Sequence, residues 1–335
     1  MNITRIIQKF IINVRYAFRP KKPVLFFRLI CFLFKIQILK KKVLRYVDFA
    51  VDYACNMNCE HCFAVSLKKP NAEKLAFADY ERIINQSMKL GAVNFSIQGG
   101  EPLIYPHLNE FIKICKPGRN IISVTTNALA LTKDKISELK KLGVDIFTIS
   151  LDSGIPEEHD SFRKCKGSFC KTVEAIKEAL RQGLHVTIGA TVYHQNVKSE
   201  GIKKLCELAA QLKCVLCFNL GTPIGNWQSN GDIILTGGDL KYLRELVKSS
   251  AYFRTDFEAN AGGYGCGAVK EILYLNPYGD VFACPFIHIP LGNAKLQSIS
   301  EIRKKALENP YYKNYYPKCL CAEDLEFMEK YVSGK

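Results

Sequence analysis

The chain has 335 residues, 48% hydrophobic and 24% charged, which excludes both a disordered chain and a multi-span membrane protein and leaves room for one α/β barrel of ordinary size with a small second domain. The net charge of +15 would suggest a nucleic-acid surface, but residues 1–45 carry twelve basic residues and no acidic one, so only +3 is left for everything else. No nucleic-acid partner is expected.

The basic residues of segment 1–45 are Arg5, Lys9, Arg15, Arg19, Lys21, Lys22, Arg28, Lys35, Lys40, Lys41, Lys42 and Arg45. Between them lie Ile6, Ile7, Phe10, Ile11, Val14 and Phe18, then an apolar run from Val24 to Phe34 broken only by Arg28. That run is too short and too charged to cross a bilayer comfortably. Two readings stay open: a basic amphipathic anchor on an anionic membrane surface, or a helical layer packed on the fold with its cations solvated. With no apolar core followed by a small-residue cleavage site, the chain is expected in the cytoplasm, at most peripheral at the inner face of the membrane.

From residue 46 short apolar runs alternate with helix-like stretches. Strands are predicted at Val47–Tyr53, Val93–Gln98, Ile121–Thr125, Ile146–Leu151, Val186–Val192 and Val215–Asn219. Helices are predicted at Phe77–Leu90, His107–Cys115, Lys133–Leu142, Phe169–Gln182 and Lys198–Leu212. Six strand-helix units in this order imply a parallel sheet, here a partial (β/α)6 TIM-like barrel over residues 46–222. A connecting helical segment follows over 223–256, with a helix at Asp239–Ser249. A small cysteine-rich α+β domain is predicted over 257–335, in which Glu271–Leu275, a turn at Asn276–Asp280, and Val281–Ala283 read as a hairpin.

Ligands of such barrels bind where the strands end. The unusual motifs fall there: a cysteine group after the first strand, Gly99-Gly100-Glu101-Pro102 after the second, Thr126-Asn127 after the third and Ser150-Leu151-Asp152 at the fourth. Of fourteen cysteines, seven form two groups with ligand-like spacing. The others, Cys31, Cys115, Cys165, Cys170, Cys206, Cys214 and Cys217, read as small buried hydrophobes, with Cys165 and Cys170 in a loop.

In the first group Cys55, Cys59 and Cys62 put three thiols within eight residues. Three thiolates on a [4Fe-4S] cluster leave one iron open to a cofactor or substrate; the alternative is zinc, with His61 or a distant residue as fourth ligand. Cys-x3-Cys-x2-Cys after the first strand of a βα array resembles the signature of the radical S-adenosylmethionine (SAM) superfamily. The resemblance implies that Cys55, Cys59 and Cys62 carry the catalytic cluster, that its open iron binds SAM, and that reductive cleavage yields a 5'-deoxyadenosyl radical which takes hydrogen from substrate. It places His61 beside the adenine and the Gly99, Gly100, Glu101, Pro102 segment at the methionine amino group. It places Ser150 near the ribose or carboxylate, with Asp152 in the same Ser-Leu-Asp segment, and Arg163 of His159-Asp160-x-x-Arg163 at the cofactor carboxylate. Asn127 and Asn196 fall where relatives carry polar residues.

The second group is Cys266, Cys284, Cys319 and Cys321. Cys266-x12-Gly279-x4-Cys284 is similar to the first half of the SPASM auxiliary-cluster pattern, while the single Cys319-Leu-Cys321 pair that follows resembles the shorter twitch form. One auxiliary [4Fe-4S] cluster is expected, with zinc the alternative on count alone. The resemblance implies an oxidoreductase or maturase acting on a peptide side chain or on a small or lipid-linked molecule, with flavodoxin or ferredoxin as electron donor. Two rivals remain at this level: a non-catalytic iron-sulfur electron-transfer protein and a zinc-stabilised binding module.

Overall fold

A computed structural model describes residues 3–17 and 19–332, with the backbone alone at 3–6, 17 and 259. Phe18 and the side chains of Arg5 and Ile6 therefore lie outside the described residues. In chain order the elements are α1 (Ile3–Ala17), α2 (Pro23–Gln37), β1 (Tyr46–Asp52), α3 (Phe77–Lys89), β2 (Asn94–Gly99), α4 (Leu108–Ile114), β3 (Ile121–Thr126), α5 (Lys133–Leu142), β4 (Ile146–Ser150), α6 (Pro156–Arg163) and α7 (Ser168–Arg181). There follow β5 (His185–Val192), α8 (Glu200–Gln211), β6 (Val215–Leu220), α9 (Gly237–Ser249), β7 (Phe253–Arg254), β8 (Ile272–Leu275), β9 (Asp280–Phe282), β10 (Gly292–Asn293), α10 (Ile299–Ala306), α11 (Pro310–Lys313) and α12 (Leu325–Tyr331).

Strands β1 to β6 are parallel and adjacent in sequence order, as right-handed βαβ crossovers require. Alternation sends Val47, Phe49 and Val51 of β1, Phe95 and Ile97 of β2, and Phe147 and Ile149 of β4 into one buried core that also holds Tyr80, Ile83 and Phe111 of the surrounding helices. The opposite face of the same strands is polar, with Asp48, Ser96, Ser123 and Thr187 all buried.

The sheet is larger than predicted. Strand β7 pairs in parallel with β6, and β8 pairs in parallel with β1 in the register Tyr46↔Ile272, so the sheet holds ten strands. The C-terminal hairpin β8–β9 thus continues the barrel sheet rather than standing apart from it. Beyond it, Val269, Ala283, Leu320, Phe327 and Met328 form a second small core. Of the scattered cysteines, Cys115, Cys206, Cys214 and Cys217 are buried as expected, whereas Cys31 on α2 and Cys170 on α7 are exposed on outward helix faces.

Helices α1 and α2 form a layer across the N-terminal ends of the strands. Leu25 packs among Val93, Ile121 and Ile146, and Ile12 packs on Val215 and Ala251. Electrostatics fix the layer in place. Arg19 Nε and Lys22 Nζ bond the two carboxylate oxygens of buried Asp145 at 3.0 and 2.5 Å, and Lys22 also donates to the carbonyls of Asn120 and Gly143. Arg28 donates to the Ala92 and Arg119 carbonyls and to Asn120. These three cations, which neither reading of the segment placed inside the fold, close the bottom of the barrel.

Tyr16 completes the layer, donating its hydroxyl to the Val186 carbonyl at 2.5 Å and laying its ring 4.7 Å from that of His185. Burial, with Arg19 and Arg15 nearby, holds His185 down to about 4 from its ordinary 6.5. A histidine kept neutral in the fold but free to charge when unfolded contributes stability that is complete above pH 6.5 and lost as pH falls toward 4. Thermal melts between these limits are expected to show a falling midpoint, and His185→Phe is expected to flatten that slope; an unchanged slope would remove His185 from the account.

Candidate active site

The loop after β1 carries Cys55, Cys59 and Cys62, with Cys59 buried and Cys55 exposed. Two neighbouring segments clamp it. The Gly100 amide donates to the Asp52 carbonyl at 2.8 Å and the Glu101 amide to the Ala54 carbonyl at 2.9 Å. From the other side the Asn226 amide donates to the Cys62 carbonyl at 3.1 Å and the Asn226 side chain to the Cys59 carbonyl at 2.9 Å.

The glycines are explained by the first clamp. Gly99 has φ +138°, and a Cβ on it would sit 2.1 Å from the Asp52 carbonyl oxygen; one on Gly100 would sit 2.0 Å from the Ala54 oxygen. Both must be glycine so that the β2 loop can lie against the cysteine loop. Pro102 starts a 3-10 turn and is buried. Glu101 is buried and accepts from the Leu103 amide (3.0 Å), the Thr126 hydroxyl (2.7 Å) and the Asn127 amide (2.7 Å). Its carboxylate thus joins the ends of β2 and β3, and burial pushes its pKa up against those three bonds. Asn127 brings its amide to 2.7 Å from Asn56 and 4.0 Å from Cys55 Sγ.

On the opposite side of the loop lies a helix that was not among those predicted. Helix α6 opens on Pro156 and buries His159, Phe162 and Arg163. Arg163 Nε meets Asp152 Oδ2 at 2.7 Å, and its Nη1 lies 3.7 Å from Cys59 Sγ. Asp152 also accepts from the Thr191 amide at 3.0 Å, and its own amide donates to His159 Nδ1 at 3.2 Å. Burial alone would raise Asp152; the Arg163 charge overrides it and holds the acid at about 2. Arg163, expected at a cofactor carboxylate, is held in this structure by a carboxylate of the protein and turned toward a cysteine. Ser150 closes β4 opposite Gly189.

His61 stacks on Phe162 with centroids 4.4 Å apart and planes at 4°, and Trp227 lies 5.8 Å from it. Tyr193 lies parallel to Phe162 at 5.8 Å. Burial, with Arg163 close by, holds His61 neutral down to about pH 3. Phe162, Tyr193, Asn226 and Trp227 escaped the sequence reading; the lone tryptophan after the sixth strand was the one signal that could have drawn attention to residues 225–227. Asn196 is not brought to this group and instead holds the turn after β5, donating to the Thr191 carbonyl at 2.9 Å.

The second group also converges. Cys319 and Cys321 Sγ atoms are 3.5 Å apart. Hydrogen bonds with Cys284 and Cys319 push Cys321 well up, and burial followed by the charges of Cys319 and Cys284 pushes Cys266 up to about 12. The Cys266 amide bonds the Tyr316 carbonyl at 2.7 Å. Beside them Lys270 is fully buried, donating to the Ala268 and Tyr312 carbonyls at 3.1 and 3.2 Å. Among the described residues no three His, Cys, Asp or Glu side chains stand as closely as the ligands of a single metal ion.

The sequence profile of the radical SAM superfamily matches residues 51–209, from the end of β1 to α8. The chain belongs to the radical SAM superfamily. The profile of the SPASM iron-sulfur cluster-binding domain matches residues 266–323, which span all four cysteines of the second group. Among curated relatives, the AdoMet-dependent heme synthase of Methanosarcina barkeri is 25% identical over 291 residues, covering 78% of this chain and 82% of that one. The mycofactocin maturase MftC of Mycobacterium tuberculosis is 27% identical over 272 residues, covering 74% of this chain and 66% of its own. Among solved structures, Streptococcus suis SuiB bound to precursor peptide SuiA superposes with a TM-score of 0.63 at 18% identity, over 82% of this chain and 66% of that one. This radical SAM chain is thus an enzyme that uses SAM, a [4Fe-4S] cluster and an auxiliary iron-sulfur centre. Its residues fit those groups: both donor sets are all thiol, and a thiol gives up its proton when a metal centre takes the proton's place.

Proposed function

We propose that this enzyme is a peptide maturase in which Cys55, Cys59 and Cys62 hold the SAM-binding cluster and Cys266, Cys284, Cys319 and Cys321 hold one auxiliary cluster. The observation that carries the site assignment is the double clamp on the cysteine loop, the Gly99–Glu101 strap on one side and Asn226 on the other. A loop fixed at its backbone presents three thiols without consuming any of them. When bound, the cluster supplies the electron that breaks the sulfonium C–S bond of SAM, leaving a 5'-deoxyadenosyl radical able to take hydrogen from substrate. Arg163 sets a positive charge beside Cys59, which favours its thiolate, and Asp152 holds that guanidinium in place. Stacked His61 and Phe162, with Trp227 tilted against them, pack on one flank of the loop.

A peptide substrate is supported by the precursor peptide bound to SuiB and by a broad groove of about 780 Å3 beside the loop, lined by Ser66, Ile224, Gly225, His288, Glu326 and Tyr331. An open groove suits an extended chain better than a small molecule, which is normally enclosed. The division into a barrel over 46–222, a connection over 223–256 and an auxiliary domain from 257 belongs to the same proposal, with Gly225–Trp227 of the connection contributing to the site. The cytoplasm belongs to the proposal as well, with flavodoxin or ferredoxin as the donor of the electron.

The test is anaerobic reconstitution followed by reduction in the presence of SAM, with candidate precursor peptides supplied singly. The expected result is 5'-deoxyadenosine formed in step with a peptide whose mass has fallen by two hydrogens. Turnover of a small or lipid-linked acceptor, with every peptide unchanged, would overturn the substrate assignment.

A further inference from the structure

The layer formed by α1 and α2 has a second face. Its inner residues are committed to the barrel, yet Ile7, Phe10, Ile11 and Val14 of α1 and Val24, Phe26, Phe27, Ile30, Leu33 and Phe34 of α2 are exposed, Phe10 by 68% and Phe27 by 66%. Ile38 and Leu39 extend the same surface past α2. Twelve of the seventeen exposed large hydrophobic side chains among the described residues therefore lie in this one segment. Isolated apolar residues on a surface need no explanation, but a contiguous set marks an interaction face.

Charge selects the partner. Exposed cations stand at the ends of the two helices: Arg15 in the last turn of α1, Lys21 in the turn between them, Lys35 in the last turn of α2, and Lys40, Lys41 and Lys42 just beyond it. No acidic residue occurs before Asp48. Two copies meeting through this face would bring like charge onto like charge. An anionic bilayer offers what the surface lacks, an apolar layer for the phenylalanines and leucines and negative headgroups for long basic side chains that can reach back to the interface. Each helix has 15 residues, and no helix among the described residues is long and apolar enough to cross a membrane, so the arrangement is in-plane.

We propose that the outer face of α1 and α2 docks the enzyme on an anionic lipid surface, both helix axes lying along the membrane. The proposal goes beyond the catalytic reading and holds whatever the substrate is.

The full-length, reconstituted protein is sedimented with vesicles of phosphatidylcholine alone or mixed with phosphatidylglycerol, at low and raised salt. The expected result is at least about tenfold stronger binding to the anionic vesicles, weakened by salt. The double variant F27E/F34E is expected to lose vesicle binding while keeping 5'-deoxyadenosine formation, which shows that it is folded. The triple variant K40E/K41E/K42E is expected to lose only the salt-sensitive part. Absence of binding to either vesicle would overturn the proposal. So would a dimer seen by light scattering that F27E/F34E dissociates without any vesicle binding, since the face would then belong to a second copy.

Discussion

Replacing Cys59 with alanine is expected to abolish 5'-deoxyadenosine formation, while replacing Cys266 leaves that reaction running and abolishes the modified product. The two substitutions remove the same atom from opposite ends of the chemistry. Cys59 is one of only three thiols in the first group, and the loop offers no fourth thiol to replace it. Losing it also leaves Arg163 Nη1 facing a methyl group where a sulfur had stood 3.7 Å away. Cys266 belongs instead to the second small core, with Cys284, Cys319 and Cys321. Iron and sulfide content should fall by one cluster in each variant, and chromatography of the reduced reaction with SAM separates them. Undiminished 5'-deoxyadenosine from Cys59→Ala would end the mechanism; its loss in Cys266→Ala would mean that the two thiol groups do not act independently.

The second large effect is on stability. Arg163→Gln is expected to destabilise the fold by about 3–5 kcal/mol, because removing one member of a buried ion pair strands the other. Arg163 and Asp152 are exposed by only 8% and 4%, and the pair is closed at 2.7 Å. The pH dependence carries the same sign. Asp152, lowered to about 2, contributes stability that is present above its ordinary 3.8 and lost as pH falls from 3.8 to 2. Without Arg163, burial dominates and the acid prefers to be neutral, so the variant loses its deficit in acid instead. Urea unfolding of Arg163→Gln, Asp152→Asn and the double variant measures the coupling, and the double variant is expected to be more stable than Arg163→Gln alone. A loss below about 1 kcal/mol in Arg163→Gln would show that the pair is not the support described above.

Much of the barrel was legible because buried parallel strands read as short apolar runs between polar turns. All six predicted strands match β1 to β6 within one residue at each end. Helix α6 was missed for a physical reason: Pro-Glu-Glu-His-Asp-Ser-Phe-Arg has no apolar repeat, and what it buries is a histidine, a phenylalanine and an arginine held by Asp152. Gly99 and Gly100 were singled out by their motif, but the backbone that leaves no room for a Cβ on either, Asp52–Ala54 of the cysteine loop, is seen only in the fold. Likewise Glu101 was expected at the methionine amino group, while its bonds to Leu103, Thr126 and Asn127 depend on where β3 ends in space. For residues 1–45, amphipathic pattern alone left two readings because the partner that fixes Arg19 and Lys22 is Asp145, more than a hundred residues away.

That separation has a consequence for how the protein is made. Helices α1 and α2 leave the ribosome before the barrel does, yet their seat consists of Val93, Ile121, Ile146, Val186, Val215 and Ala251, spread along the next stretch of about 200 residues. At about 5–20 residues per second, the layer waits about 10–40 s before the last of its seat exists. During that interval both faces of a basic, apolar helical pair are uncovered, the inner one as well as the outer. Closure of the barrel floor is therefore a late, long-range event in the maturation of the chain, and these two helices can meet a bilayer before they meet their own domain.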